Sequence, residues 1–338
     1  MEQPYLGFWE KLPQPFFALA PLANVTDAAF RKFIVKHRKP DVMWTEFVAA
    51  DGLCHPKGLL ALARDLRFDE EERPIVAQLF TGNPDTMFRA ARMVRELGFD
   101  GLDINMGCPD KNVMKQGAGA NCMRNPKQAQ EIIRAALGGV NGEIPVSVKT
   151  RLGYNEDDLE TWLPALLETK PAVITLHART KKEMSSVPAH WNRIKDAVRL
   201  AYGTGTLIIG NGDVRNIREA RVLVEETGCQ GVMLGRAIFG NPWLFDETKT
   251  RVTVRERLEA ALELSAIFLE TWKDTKSHSL LKKHYQAYVA GFPGAKELRA
   301  SMMEAQAAEE VTLLVERFLR THDGTAFISL EEAVLPHH

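Results

Sequence analysis

The chain has 338 residues, of which 45% are hydrophobic and 26% charged, with 43 basic side chains against 44 acidic ones. These values are ordinary for a globular protein and exclude a disordered chain, a collagen-like fibre and a coiled-coil rod. The formal net charge of -1 excludes a chain-wide basic field, so binding to nucleic acid would need a local patch.

Several classes of site and location are also disfavoured. The four cysteines contain no C-x-x-C pair, which argues against a zinc site or a disulfide framework and for reduced thiols in a cytosolic protein. No apolar run approaches the roughly 20 residues that a membrane-spanning helix requires. We therefore expect a cytoplasmic monomer with no metal and no membrane partner.

Eight apolar runs of strand length follow one another along the chain, separated by helical patterns. The runs cover residues 16–20, 42–46, 74–79, 101–104, 145–149, 172–177, 206–210 and 231–234. They are near-continuously apolar, as expected for parallel strands buried on both faces. Eight strand–helix units in about 250 residues are typical of an α/β fold of the (β/α)8 TIM-barrel type. A doubly wound open sheet is the alternative, because alternation alone does not distinguish closed from open sheets.

The strand pattern ends after Pro242, and residues 254–273, 279–290 and 296–321 have helical patterns. We predict a TIM-barrel catalytic domain over residues 1–245 and a C-terminal all-helical domain over residues 246–338. Lysine and arginine are frequent between residues 273 and 299. Taken alone, this stretch is most simply a solvated helix face.

Polar side chains end several of the apolar strands, where barrel active sites form. A lysine in the position of Lys149 is costly unless it meets an anionic or electron-rich group, such as the N1/O2 edge of a flavin. Gln78 and His177 could hydrogen-bond the same ring. Singly, a snorkelling lysine and satisfied core polar groups explain these residues equally well. Together with a phosphate site they favour flavin mononucleotide (FMN).

Glycines and an arginine follow the seventh and eighth strands, where this fold commonly binds phosphate. Gly212 and Gly235 would let backbone N–H groups approach phosphate oxygens, and Arg236 would add a charge-assisted fork. Two tight turns with a surface arginine are the alternative.

Cys108 follows the fourth strand, and Pro109 biases its backbone toward an extended conformation. A free thiol with a pKa of about 8.5 is mostly protonated at neutral pH and can donate a proton. The sequence places no histidine next to Cys108, so it does not favour a thiolate nucleophile. The alternative, a small buried hydrophobe, suits Cys54, Cys122 and Cys229 well.

These residues belong to motifs that resemble a known family. The string LDINMGCPDKNVMKQGAGA (102–120) is similar to the signature of the tRNA-dihydrouridine synthases, flavin enzymes that reduce uracil in RNA. The resemblance continues through ALAPLANVTDAAFRKF, PIVAQLFTGNP, PVSVKTRLGY, ITLHART, IIGNGDV, GVMLGRAIFGNPW and LLKKHYQAYVAGFPGAKELR. It covers nearly the full chain, and the ordered set is specific where no single motif would be.

The resemblance implies FMN-dependent reduction of specific tRNA uridines to 5,6-dihydrouridine, with NADPH as the reductant. Flavin N5 would deliver hydride to uracil C6 while Cys108 protonates C5. The implied flavin-binding residues are Pro21, Leu22, Ala23, Gln78, Lys149, His177, Asn211, Gly212, Asp213, Gly235 and Arg236. The implied substrate contacts are Asn105, Arg179, Lys282, Lys283 and His284. The helical domain then becomes an RNA-binding domain.

One segment departs from the family pattern. After ITLHART the family usually continues with an arginine and a tyrosine–glycine pair, whereas this chain has KKEMSSVPAHW (181–191). Lys181 or Lys182 could replace the arginine. The departure affects the expected substrate contacts, so another RNA class is a further possibility.

Two other functions compete with the RNA-modifying enzyme. A flavin reductase of a small pyrimidine or enone would use the same barrel, but it would need no basic helical annex. The other alternative is a non-catalytic RNA-binding or chaperone protein that retains an ancestral flavin site. Such a protein would not need Cys108, Lys149 and Arg236.

Overall fold

A parallel sheet of eight strands forms the centre of the molecule, as expected. The computed structural model describes residues 3–322 and 324–330, so the ends of the two predicted domains, residues 1–2 and 331–338, lie outside the described residues. The strands are β1 Phe16–Leu19, β2 Met43–Ala49, β3 Ile75–Phe80, β4 Gly101–Asn105, β5 Val146–Arg151, β6 Val173–His177, β7 Leu207–Asn211 and β8 Gly231–Leu234. Each predicted run corresponds to one of these strands.

Hydrogen bonds between the first two strands close the sheet into a barrel. The strand order is β1-β8-β7-β6-β5-β4-β3-β2, and Ala18 of β1 forms a parallel bridge to Val42, next to β2. The Leu19 N–H donates to the Val42 carbonyl over 3.3 Å, and the Asp41 N–H donates to the Phe17 carbonyl over 2.9 Å. The closed barrel is therefore confirmed over the open sheet.

Helices cover the outside of the barrel. They are α1 Ala28–Arg38, α2 Ala50–Leu53, α3 Pro56–Leu62, α4 Pro84–Glu96, α5 Lys111–Lys115, α6 Pro126–Val140, α7 Leu159–Leu167, α8 Trp191–Ala201 and α9 Ile217–Thr227. Asn83 and Asn125 cap α4 and α6, each followed by a proline in the first turn. An Asn–Pro pair favours a helix start because the side-chain oxygen accepts a backbone N–H and proline has none to satisfy.

The two ends of the barrel interior differ in polarity. Trp9, from a short 3₁₀ helix at Gly7–Lys11, packs against Phe16 and Trp44 with ring centroids 5.4 and 5.9 Å apart. These rings fill the end where the strands begin. Polar side chains collect at the other end, so the site lies where the strands finish.

The chain continues after β8 into α10 Val254–Trp272, α11 Lys282–Tyr288, α12 Ala295–Glu304 and α13 Ala308–Thr321. The predicted helix over residues 296–321 is thus wrong in one respect, since the chain turns between α12 and α13. The expected absence of strands after Pro242 is also wrong, because β9 Arg251–Thr253 pairs antiparallel with β10 Phe327–Ser329. Three-residue strands are too short to produce a recognisable hydrophobic pattern.

The helical region packs directly on the barrel. Glu263 of α10 forms an ion pair with Lys36 of α1 over 2.6 Å and accepts a hydrogen bond from His37 over 3.0 Å. One buried hydrophobic cluster extends from the barrel helices into α10–α13. The C-terminal helices therefore share a core with the barrel.

Candidate functional site

A cavity of about 720 Å³ opens at the carboxyl ends of the barrel strands. The predicted residues that line it are Pro21, Leu22, Ala23, Gln78, Asn105, Cys108, Lys149, His177, Arg179, Asn211, Gly212, Asp213, Gly235 and Arg236. All the barrel residues that the sequence singled out thus meet at one cavity. The ends of parallel strands converge at one end of a barrel, which is why residues distant in sequence lie together here.

A buried chain of hydrogen bonds runs under the wall that carries Cys108. The Asp103 carboxylate accepts hydrogen bonds from Ser147 Oγ and from Gln78 Nε2, both over 2.6 Å. Gln78 Oε1 in turn accepts from Asn105 Nδ2 over 3.1 Å. Asn105 Oδ1 then accepts the backbone N–H of Cys108 over 2.9 Å. Because a carboxylate only accepts, Asp103 sets the orientation of both amides and so holds the Cys108 loop.

Asp103 was not among the predicted residues, although it lies in the signature string. The residue is fully buried, and burial raises its pKa to about 6 against the hydrogen bonds from Ser147 and Gln78. From the sequence alone, Asp103 was one of several residues in the predicted fourth strand, and nothing distinguished it from its neighbours. Its partners on β3 and β5 come from the register of the sheet, which pairs Gln78 with Asp103 and Asp103 with Ser147.

Lys149 is a half-buried cation with unused hydrogen-bond donors. Burial and the nearby Arg151 lower its pKa to about 8, so the amine is protonated at neutral pH. Its Nζ donates to Asn211 Oδ1 over 3.1 Å. An ammonium has three donors, and within the described residues this is the hydrogen bond it makes. The cavity therefore presents a cation that an electron-rich group would satisfy.

His177 is a neutral imidazole with a defined tautomer. Burial and the surrounding cations, Arg151 first among them, hold its pKa well below the ordinary value. Arg179 lies 3.3 Å from His177 Nε2 and is a donor only, so Nε2 is the accepting nitrogen. The proton is then on Nδ1, which makes His177 a hydrogen-bond donor through that nitrogen.

Cys108 is half-buried in a loop held from both sides. Its carbonyl accepts the Ala120 N–H over 2.9 Å, and a Cβ on Gly119 would lie 2.7 Å from that same oxygen. Burial raises the pKa of the thiol. The arrangement suits a protonated thiol that acts as an acid and disfavours a thiolate.

The loops after β7 and β8 are joined by a shared carboxylate. Asp213 accepts from Arg179 and from Arg236, the latter over 2.6 Å. Gly212 has φ +135°, and a Cβ there would lie 2.9 Å from the Cβ of Ala189. A carboxylate repels phosphate, so Asp213 suits orienting the arginines better than touching an anion.

Comparison with known proteins identifies the family. The family model described as "Dihydrouridine synthase (Dus)" matches residues 18–323. A "Probable tRNA-dihydrouridine synthase" of Staphylococcus aureus (strain COL) is 38% identical over 328 residues, covering 96% of this chain and 99% of the relative. The chain belongs to the dihydrouridine synthase family.

Further comparisons agree with this assignment. "Probable tRNA-dihydrouridine synthase 2" of Bacillus subtilis (strain 168) is 38% identical over 323 residues, covering 94% of this chain and 98% of that protein. Among solved structures, histamine dehydrogenase from Rhizobium sp. 4-9 superposes with a TM-score of 0.52 at 12% identity, covering 74% of this chain and 48% of that one. The structural likeness confirms the barrel fold, and the family confirms the expected enzyme class.

Three residues expected to contact RNA in this dihydrouridine synthase family member have other partners. His284 is buried between Phe30 and Phe239, with ring centroids 5.0 and 5.8 Å away, and burial lowers its pKa to about 3. A neutral buried ring is not placed to meet a phosphate, so this arrangement does not support His284 as an RNA contact. Lys283 donates to the Asn24 carbonyl, and Lys282 donates to the Met303 carbonyl over 2.7 Å.

Arg151 is a cavity residue that the sequence interpretation missed. Its Nε donates to the Gly107 carbonyl over 2.9 Å, and one terminal nitrogen donates to the carbonyls of Thr180 and Met184 over 3.1 and 3.3 Å. Arg151 therefore ties the Cys108 loop to the segment that departs from the family pattern. The sequence could have indicated Arg151, because it lies two residues after Lys149 and therefore on the same face of β5.

Membrane-spanning and metal-binding features are absent from the described part of the chain. In residues 3–322 and 324–330, no helix combines the length and hydropathy needed to cross a bilayer. Within the same ranges, no group of three or more His, Cys, Asp or Glu side chains could hold a metal ion.

Proposed function

We propose that this chain reduces uridine in tRNA to 5,6-dihydrouridine, with FMN as the bound cofactor and NADPH as the reductant. The observation that carries the proposal is the placement of Cys108, a half-buried thiol of raised pKa, in the same cavity as the half-buried ammonium of Lys149. The names of the Staphylococcus aureus and Bacillus subtilis relatives support tRNA as the substrate.

The residues of the cavity fit a flavin mononucleotide. Lys149 has donors for the electron-rich edge of the ring, and Gln78 and His177 lie in the same wall. Gly212 keeps its backbone free of a Cβ that would approach the His177 ring, and Arg179 and Arg236, which Asp213 orients, line the same cavity. Pro21, Leu22 and Ala23 provide an apolar face, and Asn211 and Gly235 complete the lining. When bound, the flavin supplies the hydride that goes to uracil C6.

The protein supplies position and one proton. The Cys108 thiol gives its proton to uracil C5 as the C5=C6 double bond is reduced, and water returns a proton to the sulfur. Asn105 holds the loop that carries the thiol, which keeps the sulfur at a constant place in the wall. The target base must leave its stack to enter a cavity at the end of a barrel. Residues 246–330 then serve as an RNA-binding region docked on the barrel.

The test uses the purified protein and tRNA from a strain that lacks it. The visible spectrum is recorded, NADPH is added, and dihydrouridine is then mapped by borohydride treatment and reverse-transcription stops. We expect a yellow protein that bleaches with NADPH and installs dihydrouridine at defined tRNA positions. Bleaching without modified tRNA would instead favour another RNA or a small pyrimidine or enone. A colourless protein that takes up no added FMN would contradict the flavin assignment.

A further inference from the structure

The basic side chains of the helical region are largely engaged within the protein. Lys276 lies 3.2 to 3.6 Å from the carboxylates of Asp27, Glu46 and Asp65. Lys282 and Lys283 each donate to a backbone carbonyl. Elements outside the helical region must therefore supply some of the cations that could bind RNA beside the cavity.

Helix α5 provides two such cations directly after Cys108. Asp110 and Val113, at the start of this helix, line the cavity itself. Lys111 and Lys115 are exposed, and their spacing places them on one face of the helix. In the described part of the chain, neither lysine forms a side-chain hydrogen bond or an ion pair.

Tyr154 connects α5 to two more cations. Its hydroxyl donates to Met114 Sδ over 3.9 Å, which places the ring against α5. The Arg124 guanidinium and the Lys181 ammonium lie 5.3 and 5.0 Å from the ring centroid. Among residues 3–322 and 324–330, neither cation has a carboxylate partner. Two cations on α5 and two against the Tyr154 ring, which contacts α5 through Met114, thus form one patch beside the segment that follows Cys108.

We propose that this patch, made of Lys111, Lys115, Arg124 and Lys181 around Tyr154, binds the phosphate backbone of the substrate RNA next to the target uridine. Lysines and arginines without carboxylate partners are the groups that neutralise phosphates, and the Tyr154 ring holds Arg124 and Lys181 beside α5. Val113, between the two lysines of α5, lines the cavity together with Cys108, so an RNA bound to the patch would have its flipped nucleotide near the cavity. The inference rests on the proposed function for the identity of the RNA.

Two double variants and a matched control test the patch. Lys111→Gln with Lys115→Gln, and Arg124→Gln with Lys181→Gln, each remove two positive charges. Lys11→Gln with Lys195→Gln removes the same charge from two exposed residues outside the patch. For each holoenzyme we would measure Kd for an unmodified tRNA transcript between 50 and 200 mM salt, dihydrouridine formation, and flavin bleaching by NADPH.

The expected result is specific to the patch variants. Each should weaken tRNA binding roughly tenfold and lower the slope of log Kd against log salt by about 2, one unit for each phosphate that the variant no longer neutralises. Flavin bleaching by NADPH should not change, and the control should bind like the wild type.

Two outcomes would overturn the proposal, and a third would contradict the proposed function alone. Patch variants that bind tRNA as the control does would exclude the patch from RNA binding, while dihydrouridine formation by the wild type would leave the proposed function intact. Unchanged tRNA binding with a raised KM for NADPH would assign the cations to the dinucleotide. Tight tRNA binding by a wild type that forms no dihydrouridine would contradict the proposed function, and the binding data would still decide the role of the patch.

Discussion

The protonation state of one thiol decides how this site can act. Burial raises the pKa of Cys108, and the surrounding hydrogen bonds hold its loop through backbone atoms. A buried acid keeps its proton at neutral pH and releases it only when a stronger base forms nearby. In the proposed reaction, uracil C5 after hydride addition at C6 would be such a base.

Cys108→Ala should abolish proton donation and leave the cofactor site intact. We expect dihydrouridine formation to fall by about 10² or more, the usual contribution of a positioned general acid. Flavin bleaching by NADPH should be unchanged, as measured by stopped-flow absorbance. Cys54→Ala, at a cysteine outside the cavity lining, is the control. Equal loss in both variants would argue against an acid role for Cys108.

The same residue predicts a pH profile. Because the pKa of the Cys108 thiol is raised, the acid form persists through neutral pH and is lost only as the pH rises above the ordinary thiol range. Single-turnover product formation by the pre-reduced enzyme should therefore be level through neutral pH and decline only in alkali. Lys149, whose pKa is about 8, titrates in the same cavity, so Cys108→Ser is measured beside the wild type. A decline near neutrality that the wild type shows and Cys108→Ser lacks would show that the active sulfur is not a buried acid.

Asp103 predicts a pH dependence of stability. Its pKa is about 6 in the folded protein against 3.8 ordinarily, so the folded state binds the proton more tightly. The stability that this proton provides is present below about 3.8 and is lost as the pH rises through about 6. An asparagine at position 103 does not titrate. As the pH rises from about 3.8 to above 6, the free energy of unfolding of the wild type should therefore fall by up to about 3 kcal/mol relative to that of Asp103→Asn. Denaturant unfolding of both proteins from pH 4 to pH 7 measures it, and parallel profiles would contradict it.

At the scale of elements, the turn after β7 shows why glycine is needed. Gly212 combines φ +135° with a Cβ position 2.9 Å from Ala189 and borders both His177 and the arginines held by Asp213. The turn brings the end of β7 and the segment before α8 together, with Trp191 Nε1 donating to the Gly212 carbonyl over 2.8 Å. A side chain at this position would separate the two segments.

Gly212→Ala should reduce both stability and flavin retention. The backbone strain is expected to cost about 1–3 kcal/mol, and the displaced loop should loosen the cavity wall. Gly203→Ala is the matched control, because Gly203 also has a positive φ of +79° but no atom within 4 Å of the added Cβ. Thermal unfolding and FMN titration of both variants separate the two effects. Equal FMN affinity in the two variants would contradict a role for Gly212 in the cofactor site.

At the scale of the whole molecule, Lys276 adds a cluster of charges to the contacts that join the C-terminal region to the barrel. Lys276 reaches the carboxylates of Asp27, Glu46 and Asp65, and its Nζ lies 4.0 Å from the centroid of the Trp272 ring. Burial raises the pKa of Glu46, and the positive charge of Lys276 opposes that shift. The charges are mostly screened from water, so each depends on the other.

Lys276→Met should destabilise the protein by about 3 kcal/mol, since it leaves buried carboxylates without their cation. The loss should shrink as the pH falls, because Glu46, whose pKa is raised, takes up a proton and needs no partner. Lys273→Met, at an exposed lysine of the same segment, is the control. Denaturant unfolding at pH 5 and pH 8 measures the effect. Equal stability of the two variants at pH 8 would show that the lysine does not hold the two regions together.

The sequence by itself determined the barrel and most of its cavity. Buried parallel strands are apolar along their length, and the fold places the carboxyl ends of all of them around one opening. Gln78, Cys108, Lys149 and Arg236 could therefore be assigned to one site without knowledge of any contact, and the structure places all four in the cavity lining.

Only the tertiary structure decided which polar groups are already paired. Lys283 and Asn24 are 259 positions apart in the chain, and no local pattern reveals that the ammonium is taken by that carbonyl. His284 occurs in a basic string, yet helix packing buries it between two phenylalanines. The orienting role of Asp103 depends on sheet register in the same way. Apolar periodicity records which face of an element is buried, whereas the partner of a hydrogen bond depends on which elements meet.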